Sequence, residues 1–390
     1  TPPSHQLRKT GTTTETVFTF VMDEPYSDIP EAAELAIAFG VDVMNISYGS
    51  KNPSKFCDPN DSSAVAINKM MHHGVFVVAS AGNEHGDWPF ICNAGPQASA
   101  SGSFAVGAYQ MSAADLNSAD IWGDSSRGGD ANGRPIVQMT ASSGRQGTNM
   151  VSYDIDTYED MTGWYQYGGT SFAAPIVAGA AADLKDFFIG YYGQLLANKV
   201  GLMFANMLLM GDGEIEDGNQ EPTTPVDPRW GVGRLRMRMF NEVGMDSPWR
   251  HRWGYCTLSQ SEVFELALNP DASDVNQPVP EDVEFFRAAL WFHEPNLGTG
   301  VNTSVVPFLI NQDGTGNTYL CSSAAPQSQR LFLEDQIQAK AWTIKAMGQY
   351  LPASLDPQDP WYGETKRRIF VAAYFEDRDR DEPYPGGDIL

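Results

Sequence analysis

Val41-Asp42-Val43-Met44-Asn45-Ile46, a helical stretch from Asn60 to His73, and then Val75-Phe76-Val77-Val78-Ala79 decide how this chain folds. The two apolar runs are short and rich in β-branched residues, as buried strands are, and Gly74 stops the helix between them. Working outward, Pro30 to Phe39 reads as a preceding helix, with Pro30 suited to its first turn and Gly40 ending it. Val17-Phe18-Thr19-Phe20-Val21 predicts an earlier buried strand, and Phe104 to Tyr109 a later one. Alternation of strand and helix implies right-handed crossovers, hence an α/β fold whose parallel sheet carries helices on both faces. Sites in such sheets form at the carboxyl ends of the strands. That rule selects the loops Ser47-Tyr48-Gly49-Ser50 and Ser80-Ala81-Gly82-Asn83-Glu84.

Residues 115–160 are rich in Gly, Ser and Asp and read as loops. A helix follows from Phe172 to Ile189, with Pro175 in its first turn and a small-residue face of Ala173, Ile176, Val177, Ala180, Ala181 and Leu184. A second apolar helix covers Leu195 to Met210, and the acidic stretch Gly211 to Glu221 with the prolines Pro222 to Pro228 marks a surface loop. Beyond Gly254 the pattern changes. Val263 to Leu268, Phe285 to Phe292, Val305 to Ile310, Ala339 to Ala346 and Arg368 to Tyr374 are short strands separated by turn residues, which predicts an all-β sandwich or barrel. The chain therefore divides into an α/β domain over 1–250 and a β-sandwich or jelly-roll domain over 251–390.

The 390 residues are 42% hydrophobic and 11% aromatic, too apolar for a disordered chain. Lys and Arg number 25 against 49 Asp and Glu, a net charge of −24. Such a surface repels phosphate backbones and anionic lipid heads, so neither nucleic acid nor membrane is an expected partner. The longest apolar run, Val200 to Met210, is too short to span a bilayer. The chain opens on Thr1 with neither an initiator Met nor a signal peptide, which points to an exported, processed product with a segment upstream. Cys57, Cys92, Cys256 and Cys321 include no CxxC pair, and an even number in such a chain predicts two disulfides. Cys57 and Cys92 lie on loops after two neighbouring strands and are expected to pair, leaving Cys256 and Cys321 to staple the β domain.

Gly168-Gly169-Thr170-Ser171-Phe172-Ala173-Ala174-Pro175 carries the strongest chemical signal. Glycines before a serine at a helix start allow a tight turn and close substrate approach, and the helix N-terminus favours developing negative charge. A nucleophilic serine needs both and an adjacent base; a serine that merely caps a helix shows the same pattern. Asn83, in the loop after a buried strand, offers an amide donor to an oxyanion, although Gly82-Asn83 is also an ordinary turn dipeptide.

In this order the segments resemble the subtilisin-like serine proteases, the subtilases. Gly169 to Pro175 looks like that family's serine motif, Ser80 to Glu84 like its oxyanion loop, and Val41 to Gly49 like the strand that pairs with extended substrate. Ser125 to Gly129 with Asn132 to Pro135 resembles the stretch preceding the serine loop, and Trp230-Gly231-Val232-Gly233-Arg234-Leu235 the closing segment. Phe286 to Trp291, Ala341 to Ile344 and Phe370 to Tyr374 resemble the β-barrel appended to the oxidatively stable alkaline subtilases. The resemblance implies that Ser171 attacks a peptide carbonyl while Asn83 and the Ser171 amide hold the oxyanion. Substrate would lie along Ser47-Tyr48-Gly49, with Ser80, Ala81 and Gly82 edging the pocket and Gly169 and Thr170 shaping the serine turn. The family's Asp and His motifs are absent, and His5, His72, His73, His85, His251 and His293 stand in unsuitable contexts, read instead as structural or solvated. Either the catalytic Asp and His come from an upstream fragment or partner chain, or the chain is a pseudoprotease that binds without cleaving. A sedolisin-type site, with an acid in place of Asn83, is a third alternative that the asparagine opposes.

No cofactor is required by this chemistry. Structural Ca2+ has candidate sites at Asp212, Glu214, Glu216 and Asp217 and at Asp377, Asp379 and Asp381, although neither cluster has EF-hand spacing and the solvated acidic loop is the preferred reading of both. Sequons at Asn60 and Asn302 are expected at the surface, and Asn45 in a core strand, bare.

Overall fold

The computed structural model describes residues 6–8, 17–19, 29–86, 92–111, 119–129, 134–145, 150–153, 164–193, 199–212, 226–237, 250–268, 285–295, 303–311, 318–320, 328–334 and 342–376. Strands β1 (Gln6–Arg8) and β2 (Val17–Thr19) form a separate antiparallel pair, with Leu7 opposite Phe18. The expected first strand of the parallel sheet therefore spends its backbone hydrogen bonds on its own hairpin and does not join that sheet.

The α/β part follows the predicted alternation: α1 (Ile29–Phe39), β3 (Val43–Ile46), α2 (Ser62–His72), β4 (Phe76–Ser80), the short α3 (Pro96–Ser99) and β5 (Ser103–Met111). Asp61 caps α2 by accepting from Ser63 N at 2.9 Å. Then come β6 (Ala119–Ile121), β7 (Val137–Arg145), the paired β8 (Met150–Tyr153) and β9 (Trp164–Tyr167), α4 (Thr170–Tyr192), α5 (Val200–Leu209), β10 (Gly211–Asp212) and β11 (Arg234–Leu235). The seven-stranded sheet runs β10-β11-β7-β5-β4-β3, with β6 antiparallel on β5. Pairings among β3, β4, β5, β7 and β11 are parallel. β4 is buried at all five positions, which is why it reads as an unbroken apolar run.

Four readings need correction here. Residues 115–160 are not merely loops: they hold β7, a central strand. Its apolar signal is masked because Gln138, Thr140 and Ser143 are buried, with Gln138 Nε2 donating to the Pro135 and Ile136 carbonyls. Asn45 is exposed rather than set in the core, because β3 ends the sheet order and its outer pleat faces outward. The serine helix starts at Thr170, not Phe172, so Pro175 falls in its second turn. Gly211–Asp212 of the expected acidic loop is a strand against Arg234–Leu235; residues 213–225 lie outside the described residues, as do Asn302 and the acids from Asp377 to Asp381.

The β part comprises β12 (His251–Ser259), β13 (Val263–Ala267), β14 (Phe285–Phe292), β15 (Ser304–Asn311), β16 (Thr318–Leu320), β17 (Ser328–Glu334), β18 (Trp342–Tyr350) and β19 (Lys366–Glu376). They make two four-stranded antiparallel sheets, β12-β19-β14-β17 and β13-β18-β15-β16. Alternation along β19 is strict: Ile369, Val371, Ala373 and Phe375 join the core between the sheets, whereas Phe370, Ala372 and Tyr374 join the core shared with α4 and α5. β14 does the same, with Phe286, Ala288, Leu290 and Phe292 on one side and Ala289 and Trp291 on the other. Both central strands are buried on two faces, and α5, buried along its whole length, is the filling between the parts. Trp291 stacks on Phe204 of α5 with ring centroids 4.2 Å apart. Among the described residues no helix is long and apolar enough to cross a membrane.

Cys57 and Cys92 form the expected disulfide. Cys256 is a free thiol, so the expected staple to Cys321 is not made. Cys321 itself lies outside the described residues.

Candidate active site

Ser171 is the second residue of α4, and Gly169 caps that helix with φ +123°, a conformation open to glycine. A Cβ there would press on the Asn83 side chain, 3.1 Å from Nδ2. The serine turn can therefore lie directly on the loop after β4. Thr170 fastens the two together. Its N–H and its hydroxyl both donate to Asn83 Oδ1, at 3.0 and 2.8 Å, and the same hydroxyl accepts from Gly82 N at 3.1 Å. Because a backbone N–H can only donate, the Asn83 atom facing Thr170 is the oxygen, and Nδ2 is the atom presented elsewhere.

The loop beneath is equally constrained. Gly82 has φ +114°, and a Cβ would sit 2.7 Å from Glu84 Oε2 and 2.9 Å from Ser126 Oγ. Asn83 N donates to Glu84 Oε2 at 2.6 Å, Glu84 N to Ser126 Oγ at 3.1 Å, and Ser126 N to Gly82 O at 2.9 Å. The segment from Ser125 to Gly129 is thus the prop of the Asn83 loop, a role for Glu84 and Ser126 that motif reading did not assign. Trp230 to Leu235 runs beside β7, with Val232 N donating to Gln138 O at 2.8 Å and Gly233 O accepting from Thr140 N at 2.8 Å.

Ser47 meets Ser171 across the end of β3. Its hydroxyl donates to the Ser171 carbonyl at 3.0 Å, and Ser171 Oγ donates to the Ser47 carbonyl at 3.2 Å. Pro175 explains the first bond. In a regular helix the N–H four residues on would take the Ser171 carbonyl; proline has none, so that oxygen is left for Ser47. Tyr48 follows, 53% exposed, and then Gly49, where a Cβ would overlap the buried Gln97 amide. Gln97 Nε2 donates to the Ser80 carbonyl at 3.1 Å, and Gly95 N donates to the Ala81 carbonyl at 2.9 Å. Gln97 spaces the strand end at Gly49 from the strand end at Ser80, a function sequence reading missed; two small residues, Gly49 and Gly95, facing one amide were its only trace. Ser80 and Ala81 are buried and form the floor, while Gly82, Asn83 and Ser171 are partly exposed.

All the sequence-selected residues (Ser47, Tyr48, Gly49, Ser80, Ala81, Gly82, Asn83, Gly169, Thr170 and Ser171) thus gather where β3, β4 and α4 meet. The helix N-terminus makes the corner electropositive without a formal charge. His85 accepts from Asn93 Nδ2 at Nδ1, 3.0 Å, and burial, reinforced by Arg127, holds its imidazole below its ordinary pKa. His5 lies outside the described residues.

Residues 23–194 match the sequence model of the subtilase family. Among solved structures, the prenylagaramide maturation protease PagA is 21% identical, covering 56% of this chain and 69% of its own, with a TM-score of 0.39. The PatG macrocyclase in complex with peptide is 19% identical over 55% of this chain and 56% of its own, TM-score 0.40. Fervidolysin from Fervidobacterium pennivorans, a keratinolytic enzyme related to subtilisin, is 18% identical over 77% of this chain and 36% of its own, TM-score 0.38. The last two are thus matched over less than two thirds of their own length.

Proposed function

We propose that this chain, a subtilase over residues 23–194, is a serine endopeptidase that cleaves polypeptides through Ser171. The observation that carries the reading is the clamp on Asn83: Thr170, the neighbour of Ser171, holds Asn83 Oδ1 through two donors, which turns Nδ2 into an oriented donor beside the serine. Ser171 Oγ attacks the peptide carbonyl carbon as a base removes its proton. Asn83 Nδ2 and the Ser171 N–H stabilise the resulting oxyanion, and collapse expels the amine, which takes up that proton. Water then hydrolyses the acyl-enzyme. The base and the carboxylate that orients it come from outside the described residues, on an upstream segment or a separate polypeptide. Substrate adds as a strand along Ser47-Tyr48-Gly49, at the end of the sheet's last strand, with Ser80, Ala81 and Gly82 walling the cleft. The Cys57–Cys92 disulfide accords with an exported protein.

One observation favours a second reading, a pseudoprotease that binds peptide: Ser171 Oγ donates to a main-chain carbonyl, not to a base. Intact-mass analysis after a serine-reactive fluorophosphonate separates the two. A single adduct on Ser171, absent in Ser171→Ala, supports the peptidase; no adduct on the natural protein, with any associated polypeptide retained, leaves the binding protein.

A further inference from the structure

His72, His293 and Asp356 stand far apart in sequence and come together where the α/β and β parts meet. His72 ends α2, His293 follows β14, and Asp356 lies between β18 and β19. Asp356 Oδ1 is taken by its own turn, accepting from Gln358 N at 2.9 Å. Its other oxygen, Oδ2, is approached by both imidazoles through Nε2, at 3.3 Å from His72 and 3.1 Å from His293. The rings meet edge to face with centroids 4.7 Å apart. All three side chains are only 12–15% exposed, and both imidazoles border a cavity of about 240 Å³ whose lining also includes Asp359, Trp291 and Arg367.

We propose that His72 Nε2, His293 Nε2 and Asp356 Oδ2 form a site for a zinc-class divalent cation that joins α2 to the β part. The three atoms lie within 4.8 Å of one another. The two spans to Oδ2, 3.3 and 3.1 Å, match the edge of a tetrahedron whose arms are ~2.0–2.1 Å, roughly 3.3 Å. Two imidazoles with one carboxylate select a borderline transition ion over Ca2+, which takes oxygen donors. Three protein ligands leave a coordination position for water, and the adjoining cavity has room for it. With Nε2 on the ion, His293 Nδ1 carries the ring proton, and it is buried with no hydrogen-bond partner, a cost that the metal bonds have to offset. The competing arrangement is two neutral imidazoles donating to one carboxylate oxygen, which keeps the same geometry without an ion.

The site is independent of Ser171, so its failure would leave the peptidase reading intact. The whole chain, stripped with chelator, is dialysed against Zn2+ and its metal content measured; Co2+ in place of Zn2+ gives a visible spectrum. We expect one ion per chain, a four- or five-coordinate Co2+ spectrum without thiolate charge transfer, and affinity lowered by roughly 100-fold or more in His72→Gln and His293→Gln. No bound ion in the wild type, or unchanged binding in both variants, overturns the site. If the variants fail to fold, X-ray absorption of the wild-type zinc protein decides: two imidazoles in an N/O shell support the site, and a sulfur shell or fewer than two imidazoles overturns it.

Discussion

The serine corner and the junction between the two parts of the molecule are both buried polar assemblies, but they are made from different material. At the corner the groups that matter are main-chain N–H and carbonyl groups, one amide and the hydroxyls of Ser47, Thr170 and Ser171, brought within 3.2 Å of one another because Gly82 and Gly169 adopt backbones other residues avoid. At the junction the contacts are long side chains reaching across layers. Tyr192 donates to His251 Nδ1 at 2.9 Å, His251 Nε2 donates to Asn206 Oδ1 at 2.6 Å, and Asn206 Nδ2 donates to the Leu202 carbonyl at 2.8 Å. Around that chain lie Phe204, Trp291 and Phe370. The buried His251 imidazole makes the stability of the junction depend on pH.

The contrast is breakable by experiment. Trp291→Ala, which empties the ring stack, should cost ~3–5 kcal/mol in urea unfolding; a loss under about 1 kcal/mol would mean that this stack does not hold the parts together. Asn83→Ala should leave the fold intact and lower turnover, or fluorophosphonate labelling, roughly 10²–10³-fold, the cost of one lost oxyanion donor. An unchanged rate would remove Asn83 from the chemistry. His251 tests the pH side. Burial, reinforced by Arg252, pushes its pKa down to about 3 from the ordinary 6.5. The unfolded chain therefore takes up the proton first: the stabilisation is complete above pH 6.5 and is lost towards pH 3, by roughly 1.4 kcal/mol per unit. Comparing wild type and His251→Gln between about pH 7 and about pH 5 should show a slope steeper in the wild type by up to that amount. Thr170→Val, which keeps the volume but frees Asn83 to rotate, should cost about 1–2 kcal/mol and lower labelling roughly tenfold without moving the urea midpoint as far as Trp291→Ala does.

Much of the corner was legible because its parts are contiguous: Ser80 to Glu84 and Gly169 to Pro175 each fix their own local backbone, and a strand–helix–strand pattern orders them. The junction was not, because no spacing connects His72 with His293 and Asp356, and each histidine taken alone is unremarkable. β7 escaped because a strand that buries Gln138, Thr140 and Ser143 among its apolar residues carries no apolar run. β12, β16 and β17 went unread as well. The hairpin of β1 with β2 was missed for a related reason: Val17 to Val21 has strand character, but composition does not choose a strand's partner. Cys256 shows the same limit, since an even cysteine count does not place two thiols on facing strands.

A helix normally consumes its own carbonyls, which isolates its side chains from neighbouring loops. By withholding one N–H, Pro175 lends the Ser171 carbonyl to Ser47, and the reciprocal bond returns from Ser171 Oγ. Cleft wall and nucleophile are thereby geared: a peptide that seats along Ser47-Tyr48-Gly49 and displaces the Ser47 carbonyl would release the serine hydroxyl in the same motion.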